Sequence, residues 1–321
     1  MMRVLVTGAT GFVGHTLCEL LARTGYVVRA ALRNERPVPA SISETAVVGD
    51  IAATTEWRAA LRGVDLILHV AARVHVLHEA RASADLYMET NARGTKQLAK
   101  AAAEAGVRRF VYLSSVKVNG EETKDHAYSA SDEPRPQDAY GTTKWLAEKY
   151  VTETAARTKM ETVIVRSPLV YGPGVRANFL RLLRWVDKGW PLPLGAIENS
   201  RSIVSIWNLC DLLACLLTHS HAPGRIWMVS DGEDVSTPEL IQLLGSTMHR
   251  RVRLVPVPVA LLRLGGGLLG RKSEISRLCD SLLVNIEETR RVLEWSPPIT
   301  MDESLARTVA WYLSKGRLQR R

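Results

Sequence analysis

Residues 1–15 read MMRVLVTGATGFVGH, with glycines at positions 8, 11 and 14. The apolar run Arg3–Thr7 predicts a buried strand, and Phe12–Arg23 has the apolar spacing of a helix. Glycines between a strand and a helix permit a tight turn, and they let the backbone approach a pyrophosphate at the positive end of the helix dipole. This stretch therefore predicts the first strand-turn-helix unit of a dinucleotide-binding fold.

Apolar runs recur along the first half of the chain, with helical segments between them. The further predicted strands are Val27–Leu32, 45–49, 66–71, Arg109–Ser115 and Glu161–Ser167. The further predicted helices are 57–61, 84–105 and 140–156. This alternation indicates a parallel sheet covered on both faces. We therefore expect an α/β protein with a Rossmann-type doubly wound sheet.

The C-terminal part of the chain has a different pattern. Its amphipathic segments, separated by loops that carry proline and glycine, are 178–186, 208–218, 237–248 and 301–313. We expect residues 1–172 to form the NAD(P)-binding Rossmann domain. Residues 173–321 are expected to form mainly a smaller substrate-binding lid, from which segments can return to the Rossmann sheet.

The composition narrows the function class. The net charge is +9, but Lys and Arg are spread along the chain and no nucleic-acid module is present, so we expect an anionic small molecule and no nucleic acid. The four cysteines lie in apolar settings, without a CxxC pair and without a cluster of cysteines and histidines that would suggest a metal site. We therefore expect reduced thiols and no metal site.

The chain gives no sign of a targeting segment or a membrane span. The apolar start belongs to the glycine-rich unit and is followed by no small-residue cleavage site. The most apolar later stretch, 252–270, is interrupted by prolines, glycines and arginines. We expect a cytoplasmic protein without stable membrane insertion, while contact with a membrane surface stays open. A homodimer is compatible with the sequence.

The end of the second predicted strand bears on the choice of cofactor. It reads Ala30-Ala31-Leu32-Arg33-Asn34, without the carboxylate that would bind a ribose 2′-hydroxyl and repel a 2′-phosphate. Arg33 can pair with a phosphate through its planar guanidinium, although it can also be a plain loop cation. NADP(H) is therefore favoured, and NAD(H) is the alternative.

A tyrosine and a lysine in one predicted helix are candidates for acid–base chemistry. Tyr140 and Lys144 are four positions apart in a predicted helix and so share one face. A nearby cation favours the phenolate, and we expect it to lower the pKa of Tyr140 toward the range of a general acid–base. Ser115 ends a predicted strand at the carboxyl edge of the sheet, where its hydroxyl can bind the same substrate oxygen.

The motifs TGATGFVG, HVAA, TNARGT, LSSV, YGTTK and VRSPLVYGPG, in this order, resemble the extended short-chain dehydrogenase/reductase family, also described as the NAD-dependent epimerase/dehydratase family. The resemblance covers nearly the whole chain. It implies that Ser115, Tyr140 and Lys144 are catalytic, that Lys144 also holds the nicotinamide ribose, and that Asn91 is a structural or water-relaying residue. The cofactor residues that it implies are Gly8, Gly11, Phe12, Val13, Gly14, Asp50, Ile51, Ala71, Ala72, Tyr140, Lys144 and Ser167, with an ordinary turn as the alternative for Asp50.

A nucleotide-sugar site needs cations for a diphosphate. Asn178 and Arg201 resemble the family positions that bind it, but Arg201 can instead pair with Asp211 and brace the lid. Arg277 and Ser281 are further candidates.

The loop after HVAA carries Arg73 and His75, which we expect over the sugar, although His75 can also be plain polar surface. Lys117 is a candidate substrate contact. It stands where epimerases often carry a Thr, Asn119 stands where they carry a Tyr, and Leu169 replaces an Asn of the classical galactose epimerases.

Four segments, AARVHV, SSVKVNG, PLPLGAIENSRS and SLLVNIEETRRVLEWSPP, most resemble bacterial reductases within this family. The resemblance implies NADP-dependent reduction of a UDP-2-acetamido-2,6-dideoxy-4-keto-hexose to UDP-N-acetylquinovosamine or UDP-N-acetylfucosamine in O-antigen synthesis. One alternative is a UDP-N-acetylhexosamine or UDP-glucose 4-epimerase with bound NAD. Another is a non-catalytic NADP-sensing regulator, which the intact set of Ser115, Tyr140 and Lys144 disfavours.

Overall fold

The structure is a computed structural model that describes residues 1–74 and 82–318. The strands in this part of the chain are β1 Arg3–Thr7, β2 Val27–Leu32, β3 Glu44–Val47, β4 Leu66–His69, β5 Arg109–Ser115, β6 Glu161–Ser167, β7 Leu169–Tyr171, β8 Arg201–Ser205, β9 Arg225–Met228 and β10 Asp234–Val235. The helices are α1 Phe12–Arg23, α2 Ala82–Tyr87, α3 Gly94–Glu104, α4 Ala139–Ala156, α5 Ala177–Lys188, α6 Ile206–Leu216, α7 Thr237–Thr247, α8 Val259–Leu268, α9 Lys272–Cys279, α10 Glu287–Leu293 and α11 Met301–Leu318.

Seven of the described strands form one parallel sheet in the order β3-β2-β1-β4-β5-β6-β9. The chain runs from β1 outward through β2 and β3, then crosses to β4 and continues in the other direction through β5 and β6. This reversal places a crevice at the carboxyl ends of β1 and β4, where open α/β sheets bind ligands. The predicted doubly wound Rossmann architecture is confirmed.

Both faces of this sheet are covered, which explains its continuous apolar strands. On one face α1 and α6 pack through Leu17, Leu21 and Leu213. On the other face α3 and α4 pack through Leu98 and Ala147. The strands β4 and β5 are buried along their whole length. The carboxyl ends of the strands are therefore the part of the sheet left for a ligand.

Residues after 173 contribute to two structures. Strand β9 pairs in parallel with β6, and α6 packs on α1, so both belong to the sheet domain. A second sheet, in the order β10-β8-β7, lies beside a separate apolar cluster. Leu183 of α5, Leu244 of α7 and Leu305 of α11 are fully buried in that cluster. The helices and short strands around this cluster therefore have a core of their own, and we refer to them as the lid.

Two segments differ from the helices predicted for them. The helix predicted at 57–61 is wrong, because the segment forms consecutive turns in which Trp57 and Leu61 are both buried. Two apolar residues four positions apart can be buried by such a turn as well as by a helix. The helix predicted at 84–105 is interrupted by a π-helical turn, Met88–Arg93, which separates α2 from α3.

The four cysteines are free thiols in this fold. Cys18 and Cys210 are buried between α1 and α6, where burial raises the pKa of Cys18 to about 12. These thiols therefore behave as small apolar side chains.

Candidate active site

The glycine-rich turn between β1 and α1 leaves no room for a side chain at Gly8 or Gly14. Gly8 has a φ of +71°, and a Cβ there would lie 2.9 Å from the backbone nitrogen of Ala71. A Cβ on Gly14 would lie 2.0 Å from the Gly8 carbonyl oxygen. At Gly11 no side chain of the described residues caps α1, so the first turn of the helix offers N–H groups to an anion. The turn fits the pyrophosphate of a dinucleotide.

Residues beside this turn join the sheet domain to the lid. The ring of Phe12 packs against both apolar clusters and lies below Gly174, where an added Cβ would be 3.4 Å from the ring. The Val13 carbonyl accepts a weak hydrogen bond from the Cys210 thiol. The cofactor turn is thus held from the lid side as well as from the sheet.

The end of β2 carries a surface ion pair. The Arg33 Nε lies 2.5 Å from the Asp50 Oδ1, and both side chains are largely exposed. The Asp50 carbonyl accepts from Thr55, and the neighbouring Ile51 packs against the start of α3 at Gly94. The two candidate adenosine contacts, Arg33 and Asp50, therefore occupy one place at the edge of the sheet, and they are bound to each other.

The predicted catalytic residues lie together at the carboxyl edge. Ser115 ends β5 in register with Ser167 of β6. Tyr140 and Lys144 lie in the first two turns of α4, which packs on β5. The Ser115 hydroxyl is close enough to Tyr140 to stabilise its phenolate by a hydrogen bond. The structure thus brings a serine, a phenol and an amine to the same edge of the sheet as the glycine-rich turn.

The expected lowering of the Tyr140 pKa is not found. Burial raises this pKa above its ordinary value, and the nearby Asp138 carboxylate raises it further, while the hydrogen bond with Ser115 lowers it. The Lys144 amine has its own contacts on β5. There it donates to the Leu113 carbonyl at 2.6 Å and lies 4.2 Å from the centre of the Tyr112 ring.

Burial makes Lys144 a weaker base than an ordinary lysine. The side chain is only 2% exposed, and this desolvation lowers its pKa to about 7, against the opposing influence of the Glu148 carboxylate. The amine therefore changes its charge within the neutral pH range.

A buried charge network behind the site was missed by sequence reasoning. Arg166 of β6 donates to Glu148 of α4, with 2.6 Å between Nη2 and Oε2, and both side chains are at most 5% exposed. Ser114 also donates to Glu148, and Asn119 accepts from Arg166. Two signals were available, because Glu148 follows Lys144 by four positions on the same helix face and Arg166 is a cation inside an apolar strand.

A second buried chain of hydrogen bonds passes through His69. Its Nδ1 lies 2.6 Å from the Thr7 hydroxyl, and its Nε2 lies 2.8 Å from the Thr95 hydroxyl, which donates to the Asn91 carbonyl. Burial, assisted by the charge of Lys144, lowers the pKa of His69 to about 3. His69 is therefore neutral at ordinary pH and connects β1, β4 and α3.

Asn91 has a structural position in the π-helical turn. Its side chain accepts from the Arg73 nitrogen at 2.8 Å and donates to the Arg73 carbonyl at 3.0 Å. It thereby holds the loop that follows β4, on which Ala71 and Ala72 also lie. The candidate His75 of the same loop lies outside the described residues.

Lys117 is bound to two carboxylates. Its Nζ lies 2.6 Å from Glu121 and 2.6 Å from Asp138. Asp138 is also the N-cap of α4, because it accepts from the Gly141 nitrogen. Lys117 therefore neutralises the carboxylate that caps the helix bearing Tyr140.

The candidate diphosphate residues lie in the lid. Arg201, on β8, donates to the Asp280 carbonyl at 2.7 Å, and burial, with Arg277 nearby, lowers its pKa. Asn178, at the start of α5, accepts from Arg181. Ser281 accepts from the Ser200 nitrogen.

The alternative pairing of Arg201 with Asp211 is wrong. The Asp211 carboxylate accepts from the Trp295 indole at 2.7 Å, and it lies on α6 against the Rossmann sheet rather than in the lid. Arg201 and Asp211 are close in sequence, but they lie in different layers of the structure.

The family assignment agrees with this geometry. The model of the NAD dependent epimerase/dehydratase family matches residues 4–230. The chain belongs to that family. A UDP-glucose 4-epimerase of Vibrio cholerae is 41% identical, with 97% of this chain and 95% of the relative covered. A 3-beta-hydroxysteroid dehydrogenase of Mycolicibacterium neoaurum is 30% identical, with 97% and 91% covered.

A solved structure, MoeE5 in complex with UDP-glucose and NAD, has a TM-score of 0.79 and 26% identity, with 98% of this chain and 99% of that chain covered. The predicted family and the prediction of an enzyme are confirmed. The names of these relatives include a sugar-nucleotide enzyme and a steroid enzyme, so membership of the family does not select the substrate.

Replacing the buried carboxylate should destabilise the protein. We expect Glu148→Gln to lower the free energy of unfolding by about 3–5 kcal/mol, because the Arg166 charge stays buried without its counter-ion. The double variant Glu148→Gln/Arg166→Met should lose less than the single one, since it removes both charges. Urea unfolding followed by circular dichroism measures these differences.

The matched control is Glu153→Gln, an exposed glutamate on the same helix, which should change stability by no more than about 0.5 kcal/mol. Equal stability of Glu148→Gln and the unmodified protein would contradict a structural role for the pair.

Proposed function

We propose that the chain transfers hydride to C4 of a UDP-linked 4-keto-6-deoxy-N-acetylhexosamine, forming UDP-N-acetylquinovosamine or UDP-N-acetylfucosamine for a surface polysaccharide. The observation that carries the proposal is the cluster of Ser115, Tyr140 and Lys144 at the carboxyl edge of the sheet, the same edge that carries a glycine turn that fits a pyrophosphate. Such a cluster suits proton transfer to a carbonyl oxygen while a hydride arrives at the carbon.

Each side chain has a separate role in the proposed reaction. A bound nicotinamide dinucleotide supplies the hydride. Tyr140, whose raised pKa keeps its phenol protonated at neutral pH, donates a proton to the developing C4 alkoxide. Ser115 holds that oxygen by a hydrogen bond, and Lys144 is the proposed contact to the nicotinamide ribose. A protonated phenol is the state that reduction requires.

The arginines of the lid favour an anionic substrate. Arg277 is close enough to Arg201 to disfavour the charge of Arg201, an arrangement that a diphosphate would relieve. We propose that Arg201, Arg277 and Asn178 bind the UDP diphosphate, and that Arg73 and Lys117 lie on the sugar side.

We further propose that NADP(H) is the preferred cofactor. The end of β2 has no carboxylate of its own, and Arg33 can exchange its ion pair with Asp50 for one with a 2′-phosphate. NAD(H) is the second candidate, because the similar structure of MoeE5 is described as a complex with NAD.

A second candidate function is redox-neutral epimerisation at C4 of a UDP-hexose. It is favoured by the Vibrio cholerae relative, which is named a UDP-glucose 4-epimerase and is 41% identical. An epimerase would use the same Tyr140 and Ser115. It would also need space for the keto sugar to present its other face.

Removing the phenol hydroxyl should stop proton transfer. We expect Tyr140→Phe to lower turnover by about 10² or more with little change in cofactor affinity, whereas Lys144→Ala should weaken both. Steady-state kinetics and cofactor titration measure these effects. The control is Tyr150→Phe on the same helix, which should retain activity. Normal turnover of Tyr140→Phe would require another proton donor.

The cofactor preference can be tested at Arg33. We expect the unmodified protein to bind NADPH more tightly than NADH, and Arg33→Ala to weaken NADPH binding about tenfold or more, because a charged hydrogen bond is lost. Binding of NADH should stay unchanged, which makes it the internal control. Titration calorimetry measures both affinities, and equal affinities in the unmodified protein refute the preference.

Stoichiometry distinguishes the two candidate reactions. A reductase should oxidise one NADPH for each UDP-4-keto sugar reduced and release NADP. An epimerase should interconvert UDP-N-acetylglucosamine and its galacto form, or UDP-glucose and UDP-galactose, without net cofactor change. Absorbance of NADPH and product analysis by NMR measure both. Interconversion together with no NADPH oxidation on any UDP-4-keto sugar would replace the reductase by the epimerase.

A further inference from the structure

Helix α8 has apolar residues on two opposite faces. One face packs on the lid, where Val259 and Leu262 join the apolar cluster and Gly266 contacts α9. That contact is close, since an added Cβ on Gly266 would lie 2.4 Å from the Ile275 Cγ1. These three positions of α8 define its inner face.

The opposite face of α8 is exposed. Leu261, Leu264 and Leu268 are 58%, 63% and 82% exposed, and Leu269, which follows the helix, is 75% exposed. At 100° per residue these positions in the helix lie opposite Val259 and Gly266. A helix with apolar residues on two opposite faces normally has both faces covered. An exposed apolar patch of this kind indicates a binding surface. We call these four residues the leucine face.

The charges of the segment that carries the leucine face all have one sign. Residues 240–273 contain no Asp or Glu but carry six Lys or Arg residues. Arg250 and Arg263 pair with carboxylates outside this segment. The other cations of the segment, which are all exposed, are Arg251, Arg253, Arg271 and Lys272. An apolar surface with a cationic surround is complementary to an anionic one.

An aromatic side chain lies on the segment adjoining this region. Trp190 is 56% exposed, with the Lys188 amine 4.4 Å from its ring centre. The loop that follows it pairs with the chain leading into α8, because Leu192 donates to the Arg253 carbonyl and accepts from Val255. Tryptophan beside cations is typical of the interface between a bilayer and water.

We propose that the leucine face docks on the surface of an anionic phospholipid bilayer, with its leucines at the boundary between headgroups and acyl chains. No helix in the described ranges is long and apolar enough to cross a membrane, so the contact is peripheral. A second copy of the chain fits less well, because a symmetric contact would bring the same cations together. The docking does not depend on the proposed reaction.

The test is co-sedimentation of the full chain with vesicles of phosphatidylcholine, with or without about one-third phosphatidylglycerol. We expect binding to the anionic vesicles only, weakened by salt. Leu264→Glu and Leu268→Glu should each reduce binding about tenfold or more, because an apolar contact is lost and a repulsive charge is added. The control is Val47→Glu, which replaces an exposed apolar residue of β3 and should bind like the unmodified protein.

A second pair of variants tests the charges without touching the leucines. Arg271→Glu/Lys272→Glu should reduce binding at least about 25-fold, since each cation near an anionic surface contributes about fivefold. Arg157→Glu/Lys159→Glu makes the same charge change at exposed residues near the amino end of β6 and should have little effect. Equal binding to neutral vesicles, no binding to either, or binding unchanged by both sets of variants would overturn the proposal. Light scattering that shows a dimer broken by Leu268→Glu would instead assign the face to self-association.

Discussion

The ion pair of Glu148 and Arg166 is the interaction on which the arrangement of the site depends. It joins α4 to β6 in a place with almost no solvent, and Ser114 and Asn119 satisfy further atoms of the two charged groups. Buried charges are tolerated only with close partners, so the pair holds the helix at one position on the sheet. Tyr140 and Lys144 precede Glu148 on that helix, and their distance from β5 is set by the same contact.

The dry environment that makes this pair necessary also sets the state of its neighbours. Burial lowers the pKa of both Lys144 and His69, and His69 can then bridge two threonine hydroxyls as a neutral ring. Lys144 contacts a carbonyl and the face of Tyr112 instead of the phenol of Tyr140. Burial, with the Asp138 carboxylate nearby, raises the pKa of Tyr140, so the phenol keeps its proton. Electrostatics at this edge therefore favour the protonated phenol.

The lid connects the site to the outer surface of the molecule. Phe12 packs against the clusters of both the sheet domain and the lid, and Gly174 lies over its ring. The arginines proposed to bind an anion, Arg201 and Arg277, lie on the second sheet and on α9. Helix α8 packs on α9 through Gly266 and turns its leucines outward. The lid thus carries the arginines proposed to bind an anion and, separately, a face of leucines that is exposed to solvent.

The sequence by itself determined the parallel sheet, the glycine turn and the grouping of Ser115, Tyr140 and Lys144, because strand periodicity, turn chemistry and helical spacing are local properties. Tertiary structure alone decided what each group touches. Four-residue spacing put Tyr140 and Lys144 on one face, but burial of the phenol and the nearby Asp138 carboxylate reversed the expected pKa change. Asp211 and Arg201 are neighbours in sequence, yet they lie in different layers. Burial and long-range contacts set these outcomes, and neither is encoded in a local pattern.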